Sequence, residues 1–451
     1  MKPNHVLVLL ALAATLAAQE PPPRLPNDFF AGRRAALMRE VGSGVILLRG
    51  AGTPADMAPF YQDQHFYYLS GVSEPNVAML LFPETGDEVL LVPPFNRFTA
   101  TWDGERLAPG EAAVRATGFM RVDNSNALPR LLDDALQAGA DGKRPTLHTY
   151  LAPAPGRTST GSQAGKAANE MARDPFDGRP TRGQALKAKL QEKYPGLEVQ
   201  DVSRHLARLR GVKEPAEIDA IRRASEAAAA GIAEAMRSAE PGVYEFQLAA
   251  AARYVFSRLG AGEDAYAAIV GAGRNGCVLH YSANSARLAD GDLIVMDYAP
   301  TVRGYCADVT RTFPANGKFT PEQRKLVQDV YEVQQELVAM VKPGTRISEL
   351  GARCSALLTK RGYRSAHGPT HHVGLAVHDP GDDVLVPGMV ITVEPGAYLL
   401  DKNMGCRIED TILVTDAGHV VLSAGVPATP DAIEKLMAAN GLQQVPVGGG
   451  R

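Results

Sequence analysis

Apolar positions along this chain follow two rhythms. In the first half, short apolar runs at 44–48, 65–69, 77–82 and 88–92, each closed by turn-forming residues, predict strands, and a helical stretch is predicted near 126–138. Residues 152–183 are rich in Pro, Gly, Ser, Thr and charge with no period, which reads as a long loop. Past Leu209-Arg210-Gly211, Pro215 opens a long Ala-rich helix to about Ser238, and the domain boundary is placed between 208 and 209. From there one order of elements occurs twice. Helices over 215–238 and 242–259 precede strands over 292–298 and 305–313; helices from Pro321 and over 347–361 precede strands over 389–394 and 407–415. Thr320, Pro321 and Gln323 make a capping-box start for the third of these helices. The expected fold is α+β: a smaller α/β domain over 27–208, then a domain over 209–440 with an internal pseudo-twofold repeat, and a disordered tail over 441–451.

Acidic residues are rare in apolar strands, yet each strand of the repeat carries one: Asp297, Asp308, Glu394 and Glu409. Asp297 and Asp308 are 11 residues apart, Glu394 and Glu409 are 15 apart, and the two pairs are offset by 97 and 101 residues. If each pair forms an antiparallel hairpin and the halves pack about a twofold, four carboxylates meet in an apolar interior, where their repulsion requires a cation. His371, His372 and His378 lie between the hairpins, with His367 and His280 elsewhere in the same half. Four carboxylates and one imidazole favour a pair of hard or borderline ions such as Mn²⁺, with Co²⁺, Fe²⁺ or Zn²⁺ as rivals. Two such ions can share a hydroxide as nucleophile, the logic of two-metal hydrolysis. Any one of these residues alone would read as a turn, cap or packing residue; five at repeat-related spacing do not. Arg407, two residues from Glu409, reads as an orienter of a carboxylate.

Other patterns fail on context. Residues 271–276 spell GxGxxG, but Cys277 to Tyr281 reads as a strand, whereas a dinucleotide-binding loop opens a helix. No GxSxG elbow or HExxH helix occurs. Among 451 residues, 47 Lys+Arg against 50 Asp+Glu leave a net charge of −3, against the basic excess of a nucleic-acid binder. Four cysteines, none in a CxxC pair, suggest neither a disulfide framework nor a zinc knuckle. Residues 1–18 place Lys2 before an apolar run and small residues at Ala17 and Ala18, the pattern of an export signal too short to span a membrane; no later stretch is long and apolar enough to do so.

At Met296-Asp297-Tyr298, Ala307-Asp308-Val309-Thr310-Arg311, His371 to Asp379, Val393-Glu394-Pro395-Gly396 and Arg407-Ile408-Glu409-Asp410, the chain resembles the dinuclear metallopeptidases of pita-bread fold. This group contains aminopeptidase P, prolidase, methionine aminopeptidase and creatinase. Gln62 to Gly71, with Glu74-Pro75, is similar to the N-terminal domain of aminopeptidase P, which the methionine-specific branch lacks. The resemblance spans about 27–440. It implies that Asp297 and Asp308 bind one ion, His371 and Glu394 the other, and that Asp308 and Glu409 bridge both. It also implies that Glu394 carries the proton, that His280 and His378 face the substrate, and that His367 lines a proline pocket. The complete ligand set weighs against creatinase and against a non-catalytic peptide-binding scaffold of the same fold. The expected function is an exported, periplasmic or secreted aminopeptidase acting on peptides with proline second, with a dipeptidase of prolidase type as the alternative, and with assembly as a dimer or tetramer. Tyr61 stands where relatives carry Arg, and 152–183 looks inserted.

Overall fold

The computed structural model describes residues 24–54, 59–140, 142–153 and 161–444. The expected export signal at 1–18 and residues 445–451 of the expected tail lie outside the described residues. The chain divides into two compact units, one of Arg24–Arg210 and one containing the described residues from Gly211 onward.

The first unit is built on strands β1 (Val45–Arg49), β2 (Ala78–Phe82), β3 (Asp87–Val92), β4 (Arg121–Asn124), β5 (Leu147–Thr149) and β6 (Val199–Asp201). They form one sheet in the order β4-β3-β2-β1-β5-β6, antiparallel across β1, β2 and β3 and parallel outside them. Val45, Leu47, Leu80, Val89 and Leu91 pack with Leu131, Leu132 and Leu190, while the alternate positions Ile46, Met79, Leu81 and Leu90 are buried too, so both faces are covered.

Three expectations fail here. Residues 65–69 form the helix Gln64–Ser70 instead of a strand. Asp63 caps it, accepting from Phe66 N at 2.9 Å, and Gly71 ends it at φ 60°, a left-handed position suited to glycine. A five-residue apolar run is ambiguous by periodicity alone, and the caps decide it. The presumed loop 152–183 contains the helix Gly161–Arg173, which has no buried residue, followed by Arg182–Lys193. Ala164, Ala167, Ala168, Glu170 and Met171 carry the first by intrinsic propensity where no apolar stripe signalled it. The helix expected over 126–138 is shorter: a 3-10 turn over Ser125–Ala127 leads into Leu128–Ala135, with Pro129 in its first turn.

In the second unit the double order of elements is present. Helices Pro215–Ser238 and Glu245–Arg258 precede β7 (Ile269–Ala272), β8 (Leu293–Asp297), β9 (Thr301–Val302), β10 (Tyr305–Cys306) and β11 (Thr310–Pro314). Helices Pro321–Met340 and Ile347–Lys360 precede β12 (Val390–Val393), β13 (Gly396–Leu399), β14 (Met404–Arg407), β15 (Asp410–Thr415) and β16 (Gly418–Val421). The pairs β8–β11 and β12–β15 correspond across the repeat, whereas the third strand of each sheet differs, β7 joining β8 and β16 joining β15. The Thr320 capping box forms, Thr320 Oγ1 accepting from Gln323 N. Leu326, Val327, Val330, Val333 and Leu337 on the third helix pack on Ile391, Val393, Ile412 and Val414.

The strands are more broken than the apolar runs suggested. The run 305–313 splits into β10 and β11, and 407–415 splits between Arg407, the last residue of β14, and β15 from Asp410. Asp308 and Glu409 therefore sit in the breaks and Glu394 just past the end of β12, so only Asp297 lies in a strand, and it faces Thr310 across the ladder instead of Asp308. The backbone leaves the ladder because side chains and the other half of the repeat offer partners: Asp308 N donates to Thr411 Oγ1 at 3.0 Å, and Glu409 N to Thr310 O at 3.1 Å. Residues 277–281 form no strand; Gly273–Cys277 is a 3-10 turn. At the end of the chain, Leu442–Gln444 is also a 3-10 turn, and Leu442 N donates to Glu234 Oε1 at 2.6 Å, so 441–444 are not a free tail.

Close packing of the first two helices depends on Gly231, where a Cβ would overlap the buried Phe256 ring and lie 3.0 Å from Ala252 O. Gly231→Ala gains about 1 kcal/mol of helix propensity but overpacks at a cost of roughly 1–3 kcal/mol. A lower melting temperature by calorimetry is expected; an unchanged or higher one would contradict this packing.

Candidate metal centre

Each half of the repeat delivers acidic groups to one place. Donor atoms of Asp308, His371 and Glu409 all lie within 4.8 Å of one another. His371 Nε2 is 3.4 Å from Asp308 Oδ2 and 3.4 Å from Glu394 Oε1, which brings in Glu394. Asp297 joins through Tyr266, whose hydroxyl is 2.6 Å from Asp297 Oδ1 and 2.6 Å from Asp308 Oδ1. One hydroxyl proton cannot serve both carboxylates, so one of these short contacts calls for further positive charge. Asp297, Asp308 and Glu409 are buried, and Glu394 and His371 are partly accessible.

Around this cluster runs a buried hydrogen-bond network. Arg407 Nη2 donates to Asp297 Oδ2 at 2.7 Å, Nε to Thr310 Oγ1 at 3.1 Å, and Nη1 to Tyr398 Oη at 3.0 Å. Thr310 in turn donates to Glu409 Oε2 at 2.6 Å. His371 Nδ1 faces its neighbour's carbonyl, His372 O, at 3.1 Å, which fixes the tautomer that leaves Nε2 free as a donor atom. Behind Glu409, Arg311 donates to Glu409 O at 2.5 Å and pairs with Asp410 at 2.7 Å, and Gln334 and Ser423 complete the Asp410 carboxylate.

Of the remaining histidines, His378 stacks obliquely on His371, ring centres 4.2 Å apart, and His280 is exposed. His367 lies 3.6 Å from Glu394 Oε2 and bonds Gly368 O at 2.8 Å and Tyr398 Oη at 3.0 Å. Burial pushes its imidazole down to about 4, so it is neutral; with Nδ1 donating to Gly368 O, Nε2 accepts from Tyr398. The sequence reading gives no role to Tyr266, Tyr398 or Thr310. Isolated Tyr and Thr carry no spacing signal, and only the fold shows that they touch the acids.

The charges do not balance within the protein. Burial, then Asp308, pushes Asp297 up to about 6; burial pushes Glu394 up to about 7; burial, then Asp308, raises Glu409 well above the usual range. His371, though burial opposes its charge, is held up at about 9 by Asp308 and Glu394. A centre that holds protons so tightly is one where divalent cations fit. Its donors are carboxylate oxygens and one imidazole, with no thiol in the group.

Comparison with known proteins agrees with this geometry. Residues 219–416 match the model of metallopeptidase family M24, and residues 30–143 match the aminopeptidase P N-terminal domain. Fold and site thus define a metallopeptidase with a pita-bread catalytic domain. The Xaa-Pro aminopeptidase of Escherichia coli is 31% identical over 91% of this chain and 97% of its own length. The mitochondrial intermediate cleaving peptidase 55 of Arabidopsis thaliana is 28% identical over 94% and 85%. A solved aminopeptidase P structure from Bacillus anthracis, titled putative, superposes with a TM-score of 0.82 at 27% identity, covering 93% of this chain and all of that one. The chain belongs to the aminopeptidase P family.

The raised carboxylates give a sign for pH dependence. A carboxyl whose folded pKa lies above its unfolded value stabilises the fold below the unfolded pKa, and that stability is lost as pH rises through the folded value. For Asp297 and Glu394 the window runs from about 4 to about 7. Metal-free protein is expected to lose melting temperature between pH 5 and 7.5, and Glu394→Gln, which removes one repelling charge at nearly constant shape, should flatten that fall. A wild-type melting temperature that rises with pH would contradict the electrostatics.

Proposed function

We propose that the protein is an exported aminopeptidase that removes the N-terminal residue from peptides whose second residue is proline, with two divalent ions, Mn²⁺ ahead of Co²⁺, Fe²⁺ or Zn²⁺. The observation that carries this reading is the convergence of five donor side chains in one partly accessible centre; relatives named as Xaa-Pro aminopeptidases add to it. Export is supported by the character of residues 1–18. The exposed aromatic group of Phe95, Phe98 and Trp102 suits the apolar contact of a homo-oligomer, a dimer or tetramer.

Asp297 and Asp308 would hold one ion and His371 and Glu394 the second, with Asp308 and Glu409 shared. When bound, the ions supply Lewis acidity to the scissile carbonyl and lower the pKa of the attacking water. Every other step belongs to the side chains. Glu394, pushed up to about 7, takes a proton at its carboxylate and returns it to the leaving nitrogen. His378, beside His371, and His280, exposed, point N–H groups at the carbonyl oxygen as it gains charge. An Xaa-Pro bond has no amide N–H and carries a ring on its leaving nitrogen, so selection rests on a flat surface for that ring, which neutral His367 offers. Arg407 and Tyr398 hold Asp297 and His367 through one network, so metal side and pocket side are built together.

Turnover of an Xaa-Pro-Xaa tripeptide by chelator-stripped protein should appear only when Mn²⁺ is restored. Cleavage of Xaa-Pro dipeptides alone would assign a prolidase instead, and silence on both would sink the peptidase reading. Asp308→Ala and Glu409→Ala are expected to lose both bound metal and turnover. His378→Ala should keep the metal and lose kcat on the order of 100-fold; full activity of the Asp308 variant would refute the ligand assignment.

A further inference from the structure

Residues 371–379 form a tight hairpin closed by antiparallel pairing of His372 with Asp379, Asp379 N donating to His372 O at 2.9 Å. Side chains alternate across such a pair. His371 and His378 therefore share one face, where their rings lie 4.2 Å apart, and His372 and Asp379 share the other. On that rear face Asp379 Oδ2 lies 3.2 Å from Lys213 Nζ, with side-chain exposures of 2% and 1%. Asp379 Oδ1 accepts from Ala376 N at 3.1 Å, inside the turn of the same hairpin. Gly374 leaves room for that carboxylate, since a Cβ there would overlap it. Lys213 is itself tethered, its backbone N donating to Gly388 O at 2.9 Å and its ammonium to Gly211 O at 3.3 Å. His372 Nε2 holds Asp382 O at 2.9 Å, and Cys306 N donates to Gly374 O at 2.7 Å, which ties the hairpin to the strand just before Asp308.

A Lys–Asp pair this deeply buried contributes little net stability, because desolvation offsets most of the attraction. What it supplies is a fixed geometry, since either charge left alone in that interior is strongly disfavoured. We propose that the Lys213–Asp379 pair is a positioning device for His378. It locks the residue next to His378 from behind, so that the imidazole meets the reacting carbonyl at a fixed angle. This inference rests on the reading of His378 as a substrate-facing group, and Lys213 itself touches no substrate.

The test is a double-mutant cycle on the metal-loaded full chain, with tripeptide turnover, bound metal and melting temperature measured for each variant. Lys213→Met is expected to keep both ions and nearly unchanged KM while kcat falls roughly tenfold, in the range typical of partners that orient a functional side chain. In a His378→Ala background the same substitution should cost no further rate, because the group it positions is gone. Lys213→Arg should recover part of the loss. If Lys213→Met does not accumulate as folded protein, Asp379→Asn carries the same cycle, since it keeps the acceptor for Ala376 N and removes the charge. Rate losses that multiply in the double variant, or a loss of metal that accounts for the lost rate, would overturn the positioning role. A His378→Ala variant at full activity would instead remove the reading on which it rests.

Discussion

Mutual repulsion of Asp297, Asp308, Glu394 and Glu409 inside an apolar unit is the constraint around which the second half of the chain is organised. The nearby positive groups are Arg407 and, when protonated, His371; though burial opposes its charge, His371 and the Tyr266 hydroxyl hold Asp308 below its ordinary range, while Asp297, Glu394 and Glu409 hold protons well above theirs. Cations that complete such a cluster relieve this repulsion and stabilise the fold, so folding and metal affinity are linked. The breaks in the ladders fall at two of these acids. Asp308 and Glu409 lie where the strands stop pairing, and there their backbone N–H groups turn to partners across the repeat, Thr411 Oγ1 and Thr310 O.

The protein holds these acids with groups that are themselves held. Arg407 spans Asp297, Thr310 and Tyr398; Thr310 reaches Glu409; Thr312 Oγ1 accepts from Arg407 N and donates to Arg407 O. Arg311, buried with Asp410, supports the backbone of Glu409 from the opposite side. Apart from the Arg407–Tyr398 bond, which lies within the second half, each bond joins one half of the repeat to the other, so the hairpins cannot shift separately without breaking buried charge-assisted bonds. Chemistry that depends on tenths of an ångström is well served by this arrangement.

Much of this was legible in the residues. The long helices were readable because Pro215, and Thr320 with Pro321 and Gln323, punctuate them, and the repeat because its acids recur at offsets of 97 and 101. The resemblance at 296–298, 307–311, 371–379, 393–396 and 407–410 named the five donors, and the fold brings them together. What failed were short segments governed by caps or by propensity alone, namely Gln64–Ser70 and Gly161–Arg173. Also illegible were Tyr266, Tyr398 and Lys213, distant in sequence from the acids and histidines they serve, for which no local pattern exists. The two-residue slip between Asp297 and Asp308 has the same origin: spacing gives a hairpin, but side-chain partners of the backbone decide where pairing stops.

The central claim is that this carboxylate cluster is a site for two divalent ions. Equilibrium dialysis of chelator-stripped protein against Mn²⁺, with metal counted per chain, tests it most directly. Two ions per chain are expected for the wild type, and Glu409→Gln, which alters one shared donor, should bind fewer and more weakly. Saturation of the wild type at no ion, or two ions held undiminished by the Glu409 variant, would contradict it.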